Sequence, residues 1–379
     1  MKTTLMNMFI RLVAPILCFS LAAMAQPNPR VAIVGRVSDD STGAFLQNVN
    51  VFVAQTTLGC NTDESGRFEI KNVPLGSFEI VASRLGYALR SIRVEISEFG
   101  SNSFDIRLHP MPITVREVVV SANEPVEWKR QLSTFTKLFL GTTLNADKCK
   151  ILNPEVLDFN ELAGFFSATA RKPLEIENRA LGYHIQFILS VFKLEPGNST
   201  FELMSSKVFG RGMLTLEGMP HYTDLTSSDP AEVRRWNEAR MRAFKGSFRH
   251  FLVALTTKHL QDEGYVISSR PSLAASRGQG REVTEDSLVF VTSEPATKLV
   301  RFTEFLQVEY KRESEEPGYD LLRLKDSDAQ TSWIELNYDA IKVNPEGLIN
   351  EWFPTKLYGY WAWTRLADSL PLDYVIGNH

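Results

Sequence analysis

Cysteine and histidine are scarce in this 379-residue sequence, with three of the first and six of the second. Cys18 lies in the apolar N-terminal run, so only Cys60 and Cys149 remain beyond it. An exporting, oxidising route would permit one disulfide between them, but spacing cannot assign pairing, and two unlinked, partly buried thiols are expected. The ligand strings of a zinc carboxypeptidase, His-x-x-Glu or His-Glu-x-x-His, are absent. His250 and His259 stand nine residues apart, on opposite sides of a helix, and are expected to be structural. The Gly-x-Ser-x-Gly elbow of serine hydrolases is also missing, and Ser247 beside Gly246 has no assigned base. Gly210-Arg211-Gly212 and Gly278-Gln279-Gly280 lack the third glycine of a phosphate loop and read as turns. Positive charge is not in excess: the formal net charge of -4 excludes a general nucleic-acid binder.

What is present is an ordinary globular composition, 44% hydrophobic and 23% charged, with enough apolar material for two cores. Lys2 and Arg11 precede an apolar run from Leu12 to Ala23, and Ala23-Met24-Ala25 supplies a small-x-small cleavage pattern. Residues 1–25 thus read as a secretory signal peptide. The run is shorter than the roughly 20 residues of a membrane span and is interrupted by Pro15. A lipoprotein site at Cys18 is disfavoured by Leu17. No later stretch reaches spanning length, so the expected location is the periplasm or the outer-membrane surface.

From residue 30 to 110 short alternating runs are separated by turn signals, the pattern of an all-β sandwich of about seven strands. Val31–Val37, Val49–Val53, Phe68–Ile70, Ser77–Ser83, Arg90–Ile96 and Ser103–Leu108 are among its strands. Asp63-Glu64-Ser65-Gly66 and Pro74-Leu75-Gly76 are its clearest turns. The strings GRVSDDSTGAFLQNVNVFV and TDESGRFEIKNVPLGSFEIVASRLGY resemble the carboxypeptidase-regulatory-like (prealbumin-like) domain. The family pattern falls on Gly35, Val37, Gly43, Val49, Val51, Thr62, Asp63, Gly66, Phe68, Pro74, Gly76, Gly86 and Tyr87. The resemblance implies no catalytic residue, since this module accompanies metallocarboxypeptidases and envelope proteins without performing chemistry. Asp63 and Glu64 offer too few oxygens for calcium, and Asp63 is read as the cap of its turn. Arg116–Ala122 resembles the segment behind this module in TonB-dependent receptors, but the remaining chain is too short for their barrel.

Residues 111–124 read as a linker and 125–379 as an α+β domain. Trp128, Leu132, Phe135 and Leu138 mark a helix over Glu127–Phe139. Leu181–Leu194 and Thr200–Phe209 read as two strands around a Pro-Gly turn. Asp229-Pro230-Ala231-Glu232 opens one helix, and a second runs from Phe248 to His259, ending at Gly264. Strands are expected near Leu299–Lys311, Tyr319–Leu324 and Trp333–Tyr338. The strings FLGTTLNADKCKILNPEVLDF, PLEIENRALGYHIQF, KGSFRHFLVAL and GYWAWTRLADSLPLDY resemble a family of envelope proteins carrying the same front module. That resemblance brings no chemistry with it.

Two residue sets are candidates for binding. The aromatics Trp352, Phe353, Tyr358, Tyr360, Trp361 and Trp363 suit stacking on sugar rings or a protein partner, although such runs more often fill cores. The cations Arg234, Arg235, Arg240, Arg242, Lys245 and Arg249 suit an anionic ligand, although a solvated helix face paired with Glu232 and Glu238 is the favoured reading. No catalytic residue, metal or cofactor is assigned. The expected function is a non-enzymatic binding or assembly module of a Gram-negative envelope, its partner a protein or glycan. The alternative is a hydrolase assembled from scattered residues such as Glu175, Glu177, His221 and Asp224.

Overall fold

A computed structural model of the chain describes residues 29–111, 126–196, 212–273, 280–293, 297–319, 329–351 and 354–376. The signal segment, residues 112–124 of the linker, Thr200–Phe209 and most of Tyr319–Leu324 lie outside the described residues.

Seven strands form the front sandwich: β1 (Arg30–Asp39), β2 (Asn50–Val53), β3 (Gly59–Asn61), β4 (Arg67–Pro74), β5 (Gly76–Ser83), β6 (Arg90–Ile96) and β7 (Ser103–Leu108). They make two sheets, ordered β4-β1-β7 and β3-β2-β5-β6. Alternation aims Ile33, Val37, Val51, Val53, Ile70, Ile80 and Ile106 between the sheets, where they are buried. The Asp63 carboxylate accepts from the backbone N–H groups of Ser65 and Arg67, at 2.9 and 2.8 Å, which is the turn cap expected from sequence.

The α+β part begins with α1 (Val126–Leu140), followed by β8 (Cys149–Ile151), β9 (Leu157–Leu162), β10 (Phe165–Ala170), β11 (Leu174–Asn178), β12 (Tyr183–Pro196) and β13 (Gly212–Asp224). These six strands form one antiparallel sheet, in which β12 pairs β11 and β10 on one side and β13 along its whole length on the other. Phe135 and Phe139 of α1 press onto the Phe187 and Phe192 side chains of β12. The partner of β12 is therefore β13, later in the chain than the Thr200–Phe209 segment expected to pair with it.

Next come α2 (Pro230–Phe244) and α3 (Phe248–Thr256). Asp229 caps α2 by accepting from the Ala231 N–H, with Pro230 at its first turn. Ser247 caps α3, which ends at Thr256, short of the expected His259, because Lys258 turns into the left-handed region at φ 60°. The last strands are β14 (Tyr265–Arg270), β15 (Arg281–Glu282), β16 (Val289–Val291), β17 (Lys298–Val300), β18 (Phe305–Ser314), β19 (Ala329–Leu336), β20 (Ile341–Val343) and β21 (Thr355–Gly359), with the short helices α4 (Glu285–Leu288) and α5 (Tyr360–Trp363). One sheet runs β15-β14-β18-β19-β21 and a small one β16-β17-β20, and Phe251, Leu252 and Leu255 of α3 fill the core beneath them. The single strand expected over Leu299–Lys311 is two, broken between Val300 and Phe305, and its halves serve different sheets.

The sandwich is seated on the sheet that carries β12 and β13. Phe52, Ala54 and Val81 point away from the sandwich core and are buried against Ile188 and Met219. The Phe52 ring stacks on His221 at 4.5 Å. At the same junction Gln55 donates its N–H to the Pro220 carbonyl (2.6 Å), Tyr222 donates to Thr56 (3.0 Å), and Leu372 donates to Gln55 (2.7 Å). Arg30 pairs with Glu346 at 3.0 Å, and the Arg93 guanidinium donates to the Asn350 carbonyl at 2.7 Å. Among the described residues no helix is long and apolar enough to cross a membrane.

Candidate functional site: a cleft beside the sandwich

Below that junction the two parts diverge and leave a cleft of about 960 Å³. Its walls come from β5 and β6 of the sandwich, the outer edge of β13, the α2–α3 corner, and the segments 347–351, 354–355 and 364–372. Apolar side chains such as Phe78, Leu216, Phe248 and Leu370 dominate, with a few charged groups among them. That mixture, in a concavity between two packed units, is the usual make-up of a ligand site.

Four charged groups of the cleft are held in specific ways. Burial pushes the Glu79 carboxyl up, against an opposing pull from Arg93. Burial also pushes Asp368 up to about 6, although Thr143 and Asn145 each donate to it at 2.9 Å. Arg365 is brought down to about 10 by its burial. Arg249 also falls to about 10, for the same reason. The side-chain oxygen of Asn350 is buried at the cleft with no hydrogen-bond partner among the described residues. Buried polar atoms of that kind call for an explanation, and a bound group is one.

The residues singled out from sequence are scattered by the fold. Tyr360, Trp361 and Trp363 are buried: Gly359, at φ 73°, swings the chain from β21 into α5 and drives these rings inward. A Cβ on Gly359 would lie 2.5 Å from the Thr331 carbonyl oxygen, so only glycine fits this corner. Trp361 donates to the Gly246 carbonyl at 2.7 Å, and Trp363 packs with Tyr319 and Tyr360. Tyr358 is half-buried and donates to Glu335 at 2.8 Å. Trp352 and Phe353 lie outside the described residues. Tyr360, Trp361 and Trp363 thus fill cores, the outcome that aromatic runs more often have.

The cation set also divides. Arg235 is exposed and lies 3.6 Å from Asp229, and Arg242 is exposed on α2. Arg240 is buried, donating to the Leu181 and Gly182 carbonyls at 2.7 and 2.9 Å and to Asp224 at 2.7 Å. Arg249 donates to the carbonyls of Glu346, Pro371 and Tyr374 at 2.9, 3.1 and 2.8 Å. Two members of the proposed anion patch are thus internal staples, and the helix periodicity did not separate them from the solvated ones.

The raw material of a hydrolase is likewise dispersed. Glu175 faces His184 at 3.2 Å, Glu177 faces Arg179 at 2.6 Å, and Asp224 is held by Arg240. His221 lies under Phe52, where burial brings its imidazole down and favours the neutral form. His250 is buried beside Tyr265, whose hydroxyl lies 2.8 Å from Nδ1, while Nε2 lies 3.3 Å from Glu263. Cys60 and Cys149 are free and half-buried, and burial pushes the Cys149 thiol up to about 12. Among the described residues no three His, Cys, Asp or Glu side chains group as metal ligands.

These features define a class: a prealbumin-like β-sandwich fused to an α+β body, with a cleft where they part. Residues 33–120 match the CarboxypepD_reg-like domain, so the chain carries that domain at its front. No curated protein matches the chain. Among solved structures, a type II cohesin–X-dockerin complex from Acetivibrio cellulolyticus matches at 25% identity and TM-score 0.17, over 20% of this chain and 51% of that one. A second complex of that kind is covered over 58% of its length, so the chain spans little more than half of either. A protein assigned provisionally to carbohydrate binding, from Bacteroides uniformis ATCC 8492, matches at 12% identity and TM-score 0.19, over 53% and 77% of the two chains. A DUF3823 family protein from the same strain matches at 11% and 0.16, over 83% and 99%. At such TM-scores these likenesses carry no argument about function.

Proposed function

We propose that this protein is an exported component of a Gram-negative envelope that binds a partner, protein or glycan, in the cleft beside its sandwich and catalyses no reaction. The observation that carries this reading is the cleft itself, about 960 Å³ and walled by both the sandwich and the α+β body. A sandwich acting only as a spacer has no need to bury Phe52 and Val81 against β12 and β13. Fixing one wall against the other makes the cleft a preorganised feature, which lowers the ordering cost of binding. The buried, unpartnered Asn350 oxygen and the Glu79–Arg93 pair supply polar groups for orientation.

Photo-crosslinking in envelope preparations tests the proposal. A benzophenone side chain at Ser91 or Glu351, both at the cleft, should give a discrete adduct. The same group at Glu64, on the exposed Asp63–Gly66 turn, should give none. Adducts absent at both cleft positions, or equal at all three, would reject the cleft as the binding site.

A further inference from the structure

Antiparallel pairing fixes which backbone groups of a strand point where: alternate residues turn N–H and C=O to one neighbour, and the rest turn to the other side. β13 pairs with β12 from Gly212 to Asp224. On its other side the Pro220 carbonyl accepts from Gln55 and the Tyr222 N–H donates to Thr56. Even-numbered residues of β13 therefore face outward, and the next in the series are Gly218, Leu216 and Leu214. The bulge in the pairing falls between Leu189 and Val191 on β12 and leaves the alternation of β13 unbroken. Among the described residues no strand pairs with β13 on this outer side and no other segment bonds to the backbone of these three.

An open edge is normally blunted by proline, lysine, a bulge or a covering loop. β13 shows this protection at one end only, where Pro220 offers no donor and the loop at Gln55 and Thr56 covers it. The stretch from Leu214 to Gly218 is instead sheltered inside the cleft, which it lines.

We infer that this open edge of β13, residues 214–218, takes an extended polypeptide segment of a partner protein as an added strand. The guest continues the pairing that Gln55 and Thr56 begin at Pro220 and Tyr222. Outward donors and acceptors recur every second residue, roughly 6.8 Å apart, a spacing that a peptide backbone matches and a sugar chain does not. The flanking walls set the guest's side chains. Leu214 and Leu216 lie on the face packed against the main core, with Ala243, Leu366 and Leu370. Met219 lies on the opposite face, toward the sandwich, where Glu79, Arg93 and Glu217 also line the cleft. The guest is thus a short strand alternating apolar and polar residues. This inference rests on the cleft being the binding site.

The probe is a phage-displayed library of random dodecapeptides selected on the chain from Gln26 onward, with the winners synthesised and titrated. Selected peptides should alternate apolar and polar residues. N-methylation at alternate peptide positions should weaken binding at least ten-fold in one phase and little in the other. Leu216→Pro, which removes an outward N–H and leaves the β12 ladder its bonds, should also weaken binding at least ten-fold. Hydrogen exchange guards against a misfolded variant: in the wild-type chain the amides of 214, 216 and 218 should exchange quickly when free and slowly with peptide bound. Amides already protected in the free chain would mean that a segment of the protein or a second copy fills the edge, which overturns the inference. Peptides indifferent to Leu216→Pro and to N-methylation would place the guest elsewhere in the cleft, overturning the added strand while leaving the cleft reading intact. A library with no winners overturns the peptide as ligand. Failure of the cleft crosslinks overturns the underlying reading itself.

Discussion

The sandwich and the α+β body are held together by different means. In the sandwich, paired strands alternate their side chains into one apolar core, and buried polar groups serve turns, as where Thr62 donates to the Leu46 carbonyl at 2.6 Å. In the body, segments far apart in the chain meet, and the junctions are closed by long cations. Arg240 joins α2 to the turn before β12, and Arg249 joins α3 to residues 346, 371 and 374. Carbonyls that no ladder reaches need donors, and arginine brings several on one planar head. Strand ladders satisfy their own backbones, whereas the junctions of α2 and α3 with distant segments are closed by side chains.

Arg240→Met offers the largest test of that difference. It leaves the Leu181 carbonyl without its donor and the Gly182 carbonyl with only the Leu225 N–H, and it removes the guanidinium from above the Tyr183 ring, 3.9 Å away. A loss of about 4 kcal/mol is expected, because one buried carbonyl is orphaned as well as three bonds lost. The exposed Asp224 adds little. Urea denaturation measures the change, and a loss below about 1 kcal/mol would break the comparison.

Asp368→Asn comes next and acts through pH. In the folded chain Asp368 titrates at about 6, against an ordinary 3.8, chiefly because it is buried, with Glu316 adding to the rise. The proton is held more tightly when folded, so this group's stabilisation is fully present below 3.8 and is lost as pH rises through about 6. The difference corresponds to at most about 3 kcal/mol. Denaturation midpoints of wild type and variant between about pH 4 and pH 7 isolate the effect, and the variant should show the flatter curve. Parallel curves would show that Asp368 does not carry the pH dependence.

The same contrast explains what could be read from the sequence. The sandwich's turns, its strands and the Asp229–Pro230 cap are encoded by neighbouring residues, and local rules found them. The outward burial of Phe52 and Val81 carried a local signal too: Val51-Phe52-Val53-Ala54 and Ile80-Val81-Ala82 are apolar without alternation, as befits strands covered on both faces. β13 was hidden because Gly212 reads as a turn, and the Pro220 within it fits a strand only at an edge position. The cleft and the arginine staples depend on contacts between distant segments, for which spacing offers no signal. A buried arginine and a solvated one look alike at 3.6 residues per turn.

In the sandwich a core trimming should be mild. Ile80→Val removes one methylene from a site 0% exposed between the two sheets. A loss of about 1 kcal/mol is expected, since neighbouring β-branched residues keep the face filled. A loss rivalling that of Arg240→Met would show that the sandwich depends on its core as tightly as the body depends on its staples.

The smallest effect is expected at Asp63, where the sandwich relies on a side chain rather than on alternation. Its carboxylate accepts from the Arg67 and Ser65 N–H groups and from the Ser65 hydroxyl, and the first of these does most to hold it below the usual carboxylate range. Its contribution is therefore present above the ordinary value and lost as pH falls through the lowered one. Asp63→Asn keeps a side-chain oxygen for the turn and should leave the thermal midpoint nearly unchanged at neutral pH, while Asp63→Ala should lower it slightly. In acid the Asn variant should lose less stability than wild type. A drop for Asp63→Ala as deep as that for Arg240→Met would mean that the Asp63–Gly66 turn is a long-range junction in disguise, and the division between self-satisfied ladders and stapled crossings would not hold.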